Sequence, residues 1–520
     1  MQQTTRAAPA CRAPGHCTRS LAGLSALAAT LALVGGGAAA APFGFDDVAR
    51  KAERLARLPY REPPAADPTI ATLDYDALRR QRFRPELSTW RGAATPFELQ
   101  YFPLGNGVTR PLVMHEIVDG VVQPLKLPAG AFENTTASAV AGWRLNRWIE
   151  QPRRSDEVGA FLGSSYFRLV APGLQYGVSA RGLAVDTAEA TGEEFPAFST
   201  YWMQRPQPGD TEVRFYALLE SPRITGAYAF VLRPGEGTTR IDVRARLVLR
   251  APVTRLGIAP LTSMFLAGET QPMAQDYRPE VHDSDGLQVA SGSGEWLWRP
   301  LTHPRGTFVT SLSLPALRGF GLMQRDRAFA SYQDLEARYE MRPSAWVEPL
   351  GDWGPGRVEL LQFPTPDETH DNIGAGWSPE RMPAVGEPFE YAWRITVSGS
   401  EPQPPGAWVT QSRRGHGYRR TGTPANQMQY HLDFSGPALE GLPLEGPQAV
   451  EAVATGNANV RNLRAIARPH GARAPGALPA WRVTLDFERV AADQPVELRA
   501  FLRSGSRTLS ETWSHAGAPE

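Results

Sequence analysis

Cysteine is nearly missing from this sequence. Of 520 residues only Cys11 and Cys17 are cysteine, and both lie in the N-terminal segment. The rest of the chain can form no disulfide and offers no thiolate nucleophile or cysteine ligand for a metal. Net charge is missing too: 54 basic residues balance 54 acidic ones. A nucleic-acid binder would show a basic stripe, and an electrostatically held membrane partner a basic excess, so both classes are excluded. Lysine is reduced to Lys51 and Lys126, a bias of base composition rather than of chemistry. The apolar run Leu21–Val34 is shorter than the roughly 20 residues a membrane-spanning helix needs. It follows Arg6, Arg12 and Arg19 and ends in Gly35-Gly36-Gly37-Ala38-Ala39-Ala40, the order of a secretory signal peptide. Residues 1–40 are therefore expected to be removed by cleavage after Ala40. No arginine pair precedes the run and no cysteine closes it, which points to general secretion rather than twin-arginine export or a lipid anchor. The expected product is a cysteine-free exported chain in a bacterial periplasm, not inserted in the membrane.

What the chain has in quantity is glycine (49) and proline (47), which suit short strands and tight turns and disfavour long helices. The mature start is the clearest helix, with Asp46 as its cap and Val48, Ala52, Leu55 and Ala56 at helical spacing. A second short helix is expected over Tyr75–Arg82. Period-two alternation then takes over, most regularly in Arg240–Leu247, the mark of strands with one buried and one wet face. No alternation of strand with helix appears, so the predicted fold class is all-β. The proline-rich segment 400–406 reads as a linker between a domain at 41–399 and one at 407–520. The second has the length and strand runs (Met428–Phe434, Trp481–Phe487, Val496–Leu502) of an immunoglobulin-like β-sandwich.

Chemistry concentrates between Asp276 and Trp377. Two acidic runs, Glu280-Val281-His282-Asp283-Ser284-Asp285 and Pro366-Asp367-Glu368-Thr369-His370-Asp371, bracket Trp296, Trp298, Arg299, Tyr332, Trp346, Trp353 and Trp377. Carboxylates can move protons and indoles can stack on pyranose rings, a combination suited to a saccharide. Each residue also has a plainer reading. Asp-Ser-Asp-Gly is a common turn, and Trp296 and Trp298, two apart, share one face of a strand and by default pack in a core. One or two of the five indoles are expected to stack on sugar, with Arg299 and Tyr332 as hydroxyl donors and Asp285 and Glu368 as further polar contacts. A metal site built on His282 and His370 with their neighbouring aspartates is disfavoured, because adjacent residues of an extended chain face opposite ways. His115-Glu116 lacks the partner histidine of a zinc-protease helix. No metal or other cofactor is expected. Ser164, Ser165 and Ser179 lack the Gly-x-Ser-x-Gly elbow of serine hydrolases.

Several blocks carry a family resemblance: Phe161-Leu162-Gly163-Ser164-Ser165-Tyr166-Phe167-Arg168, Tyr176-Gly177-Val178-Ser179-Ala180-Arg181, Glu193-Glu194-Phe195-Pro196, Leu256–Phe265, the central acidic stretch, and Leu509-Ser510-Glu511-Thr512-Trp513. The chain resembles the bacterial periplasmic glucan biosynthesis proteins of the G and D type. The resemblance implies a large N-terminal β-supersandwich, similar to the galactose-mutarotase fold, followed by the immunoglobulin-like domain. It also implies a role in making osmoregulated periplasmic glucans, whose backbone is β-1,2-linked glucose. Some members of that family are anomer-inverting β-1,2-glucan hydrolases, and related ones transfer the chain to a sugar hydroxyl. Carried over to this sequence, the general acid is Asp371 and the base, acting through water, is Asp283. Inversion needs those roles on opposite sides of the sugar: a protonated carboxyl at the leaving oxygen and an ionised one activating water. A different class stays open, a non-catalytic factor that holds nascent glucan emerging from an inner-membrane synthase.

Overall fold

Alternating burial builds nearly every element. In the strand Thr238–Leu249 the side chains of Thr239, Ile241, Val243, Ala245 and Leu247 are buried while Arg240 and Arg244 face water. Trp481, Val483, Leu485 and Phe487 do the same within Ala480–Arg489. The computed structural model describes residues 41–66, 80–105, 108–134, 139–151, 154–400, 402–415, 424–470 and 478–519. The expected signal peptide, Glu401 of the expected linker and all but the end of the expected helix Tyr75–Arg82 lie outside these residues.

The described residues are overwhelmingly strand, so the fold is all-β. A ten-stranded sheet runs from Phe97–Pro103 through Val140–Gln151, Arg154–Leu162, Tyr166–Leu169, Ser179–Arg181, Leu256–Ser263, Ile373–Pro379 and Gly356–Gln362 to Phe308–Leu314. A fifteen-stranded sheet carries the meander Ala197–Gln204, Val213–Glu220, Ile224–Pro234, Thr238–Leu249 and continues through Pro388–Ser398 and Ser344–Pro349. Their apolar faces meet in one core. Trp143 stacks on Phe161 (ring centroids 4.4 Å) and Phe161 on Phe167 (4.9 Å) from the first sheet. Phe215 and Phe230 stack at 4.7 Å from the second, and Phe161 meets Phe215 edge-on at 5.3 Å across the interface. Buried rings of this size contribute roughly 2–3 kcal/mol each by area alone.

The fifteen-stranded sheet also takes in Gly286–Ser291 and Trp296–Pro300, and beyond them Thr512–Gly517, Val496–Ser504 and Val450–Gly456. Thr512–Gly517 runs parallel to Trp296–Pro300, with Leu297 opposite Thr512 and Trp298 opposite Trp513. Four further strands (Trp408–Arg414, Gln427–Ser435, Ala480–Arg489, Val460–His470) form a separate sheet. It closes a second core around Tyr430, Trp481, Phe487 and Trp513. The buried pair Arg325–Glu511 (2.7 Å) ties the two sides of this junction.

The helix forms over Phe45–Ala56 and buries Phe45, Val48, Ala49 and Ala52 against Trp202, Leu218 and Ala227. Its cap differs from the expected one. Gly44 is the N-cap residue, and Asp47 rather than Asp46 reaches back to accept from the Gly44 N–H at 2.8 Å. Among the described residues no helix is long and apolar enough to cross a membrane.

Candidate active site

The strand alternation that fills the core also fixes what the ten-stranded sheet shows outward. Phe167 and Ala180 point into the core, so Tyr166, Arg168, Ser179 and Arg181 stand on the other face. The loop entering Ile373–Pro379 lays Asp371 over that face. Its Oδ2 lies 3.5 Å from Arg168 Nη2 and accepts from Ser179 Oγ at 3.5 Å. The neighbouring Asn372 holds the loop down. Its buried side chain accepts from Phe265 N (2.8 Å) and donates to Phe265 O (2.9 Å) and Phe363 O (3.0 Å).

Asp283 arrives from another part of the chain, just after the short strand Val281–His282, with its N–H donating to Met264 O at 2.9 Å. It is 8% exposed, and Arg342 Nε lies 3.6 Å from its Oδ1. Arg342 is itself held, donating to Ala337 O at 2.9 Å and to Tyr176 O. Burial pushes the Asp283 carboxyl up to about 6; the charge of Asp371 adds to this, while Arg342 and Arg168 pull the other way. The two acids therefore share one electrostatic site, with Arg168 in reach of both. A carboxyl near 6 is ionised about ten to one at neutral pH, yet remains a stronger base than an ordinary aspartate.

The other expected site residues go elsewhere. Glu368 is clamped by Arg278 (2.7 and 3.0 Å), which also holds Asp276 and Asp334. Asp367 accepts from Thr369 and from the His370 side chain, so neither neighbour is turned onto Asp371. Asp285 is partly buried and held by other partners: its Oδ2 accepts from Asp326 N (2.9 Å) and Arg325 N, and its Oδ1 lies 3.3 Å from His282 Nε2. Burial raises Asp285 to about 6, with the His282 charge opposing. Glu280, His282 and Asp285 are close enough to share an ion, but both imidazole nitrogens are taken up by protein partners.

The aromatic expectation is corrected for four of the five indoles. Trp298, Trp346, Trp353 and Trp377 are 4%, 6%, 8% and 0% exposed, too buried to lie under a sugar. Trp298 carries the Arg325 guanidinium 3.6 Å above its ring, and Trp353 packs against Tyr391 and Trp393. Trp296 is half-buried and stacks on Trp346 at 5.7 Å. Alternation assigned a shared face to Trp296 and Trp298 but did not say that this face belongs to the second core. Tyr332 and Arg299 are corrected likewise. Tyr332 is 0% exposed, with its hydroxyl donating to Asp326 O. Arg299 is buried and donates to Ser514 Oγ at 2.8 Å.

Residues without an assigned role in the sequence take their place around the acids. Besides Arg168 and Arg342 they include Tyr339, which is buried within electrostatic reach of Asp283 and Glu368. Tyr176 donates to Glu157 Oε1 at 2.6 Å, and both line a cavity of about 540 Å³ that Arg342 borders. Arg168 and Tyr176 sit in the blocks that carried the family resemblance, which was the available signal.

Fold and site together define an all-β sandwich protein in which two carboxylates, Asp371 and Asp283, lie within electrostatic reach of one another. The chain belongs to the MdoG family of periplasmic glucan biosynthesis proteins, whose family model matches residues 43–516. It is 46% identical over 509 residues to the glucans biosynthesis protein G of Ralstonia nicotianae, covering 95% of this chain and 99% of that one. The protein of the same name from Pseudomonas paraeruginosa is 42% identical over 517 residues, covering 96% of each chain. That from Sodalis glossinidius is 41% identical over 493, covering 91% of this chain and 92% of its own. Among solved structures, the GH36 alpha-galactosidase AgaB from Geobacillus stearothermophilus aligns over 50% of this chain and 39% of its own. The TM-score is 0.25 and the identity 8%, a likeness too slight to bear on fold or function.

Proposed function

We propose that this site cleaves the β-1,2-linked backbone of a periplasmic glucan with inversion, or transfers it when a sugar hydroxyl replaces water. The observation that carries the reading is that Asp371 and Asp283 lie within electrostatic reach of one another, with Arg168 3.5 Å from Asp371 and its charge felt at Asp283. Asp371 is the proton donor: it gives its proton to the glycosidic oxygen as the C1–O bond breaks. Water attacks C1 from the other side and loses a proton, through an intervening water, to the Asp283 carboxylate. One water is consumed and each product ends in a hydroxyl. The division of labour follows from environment. Asp283, held near 6 by burial, is ionised yet basic near neutral pH, as a general base should be. Asp371 is the more open of the two side chains, 31% exposed against 11% for Asp283, and so the one an incoming glycosidic oxygen can reach. The strands after residue 407 brace the large sheet, and the glucan arrives in the periplasm from an inner-membrane synthase.

Incubation of the purified chain with linear β-1,2-glucan, followed by product sizing, tests this. Shorter chains are expected from the native protein, and a rate lower by about a hundredfold or more from Asp371→Asn, with binding and fold retained. An unchanged rate in that variant refutes the assignment. Tight binding with intact chains establishes the non-catalytic holder instead.

A further inference from the structure

The imidazole immediately before Asp283 is enclosed on every side. His282 is 1% exposed, stacked on Phe265 (5.4 Å, 13°) and met edge-on by Tyr332 (5.2 Å, 74°). Its Nδ1 lies 3.0 Å from Gln324 Oε1, and its Nε2 lies 2.9 Å from Glu280 Oε2 and 3.3 Å from Asp285 Oδ1. The protonation state follows from the partners. Gln324 Nε2 donates to two backbone carbonyls, His282 O at 3.0 Å and Tyr339 O at 3.1 Å. A carbonyl only accepts, so this end of the amide must be the NH2. The oxygen end is then fixed toward His282, and it too can only accept, so Nδ1 bears a hydrogen. Nε2 faces carboxylate oxygens and bears one as well.

We infer that His282 is an imidazolium at neutral pH and a positioning residue for Asp283: its charge lies beside the base, and its amide clamp fixes the chain that carries it. Gln324 ties the carbonyl leading into Asp283 to the Tyr339 carbonyl, three residues before Arg342, so base and guanidinium are held by one side chain. Around the ring stand Glu280, Asp283 and Asp285 from its own segment and Tyr332 from the turn packed on it, with Tyr339 against Tyr332. Arg342 lies beyond Asp283, and Glu269 and Asp326 lie near Glu280. Burial opposes the charge on His282, but Asp285 and Glu280 outweigh it and push the ring up to about 9.

The titration needs no assumption about catalysis, while the rate effect rests on the proposed hydrolase. Nitrogen NMR of the full chain with isotope-labelled histidine should show both His282 ring nitrogens protonated at neutral pH, with a midpoint near about 9 rather than the ordinary 6.5. Gln324→Met removes the acceptor at similar volume and should lower that midpoint. A ring that is neutral at pH 7, or that titrates at or below 6.5, overturns the inference. In the rate arm, the acid limb of kcat/KM on linear β-1,2-glucan should move to higher pH in His282→Gln. Loss of a nearby positive charge favours the neutral Asp283, so kcat/KM on that limb should fall about tenfold for each unit the limb moves. If His282→Gln does not fold, Gln324→Met supplies the same limb. An unmoved limb with a charged native ring overturns the role toward Asp283. A native protein without turnover refutes the hydrolase, and the ring's titration still decides its charge.

Discussion

Replacing Glu269 by Gln should stabilise this protein, and increasingly so as the pH rises. Glu269 follows the strand Phe265–Ala267 and is reached by backbone from after the proline-rich segment: Ser412 N donates to its Oε2 at 2.8 Å. Arg413 Nη2 lies 3.7 Å from its other oxygen. A cavity of about 40 Å³ beside it is lined also by Glu280, His282, Asp285 and Arg325. Burial, and then the negative charge of Glu280, raise the Glu269 carboxyl from 4.5 to about 8. The folded state therefore keeps a proton that the unfolded chain gives up. Stability is lost progressively as pH rises from about 4.5 to about 8 and is constant beyond. At about 1.4 kcal/mol per pKa unit, the full loss reaches up to about 5 kcal/mol. Gln keeps an acceptor for Ser412 N and carries no charge, so it removes this loss. For roughly 480 residues, with an unfolding entropy of about 2 cal/mol/K each, the gain in Tm is about 5 °C above pH 8 or so. Below about pH 4.5, where the native carboxyl is protonated in both states, the difference should vanish. Paired thermal melts of the two proteins across this range measure it. A Tm difference that is the same at both ends, or a variant less stable at alkaline pH, refutes the reasoning.

Trp377→Ala should cost about 3–5 kcal/mol of stability in denaturant titration, while the fraction that remains folded binds glucan as before. A selective loss of binding would instead make this indole a sugar platform. Asn372→Ala strips the Asp371 loop of its backbone anchor and should cost about 2–4 kcal/mol, together with a fall in kcat in the glucan assay. Arg342→Met removes a positive neighbour of Asp283. The acid limb of the rate profile, near about 6 in the native protein, should move to higher pH, since the neutral carboxyl is then favoured. Glu511→Ala leaves the buried Arg325 without its carboxylate and should destabilise by about 3–5 kcal/mol, read in thermal melts.

Much of the fold was legible because alternation is a property of short windows. Arg240–Leu247 announces a strand wet on one side, and Thr238–Leu249 is one. Alternation cannot say what covers the dry side, and there the tryptophans were misjudged. Trp353 and Trp377 follow turn-rich segments and look exposed until Tyr391 and Trp393 are folded against Trp353, which itself packs on Trp377. The N-cap of the first helix lies two residues before the expected Asp46, and the carboxylate that serves it is that of Asp47, because a side chain at the third helical position can reach back to the N-cap N–H. Asp283 and Asp371 were singled out through family resemblance rather than through their own surroundings, since each alone reads as a turn residue. Arg168 had no sign beyond the resemblance of its block, since an arginine at an outward strand position is ordinary. Its significance lies in meeting Asp371, some two hundred residues later in the chain.

The strand Thr512–Gly517 lies inside its sheet, bonded to Val496–Ser504 on one side and to Trp296–Pro300 on the other. A nascent chain made only as far as Leu509 therefore has a gap in the middle of its ladder. Trp296–Pro300 is then a bare edge open to other chains, and Trp513 is absent from the second core. Synthesis must pass this point before the fold can close. A premature stop codon there would be as damaging as one in a central strand, and it would show in the cell as aggregation rather than as partial activity.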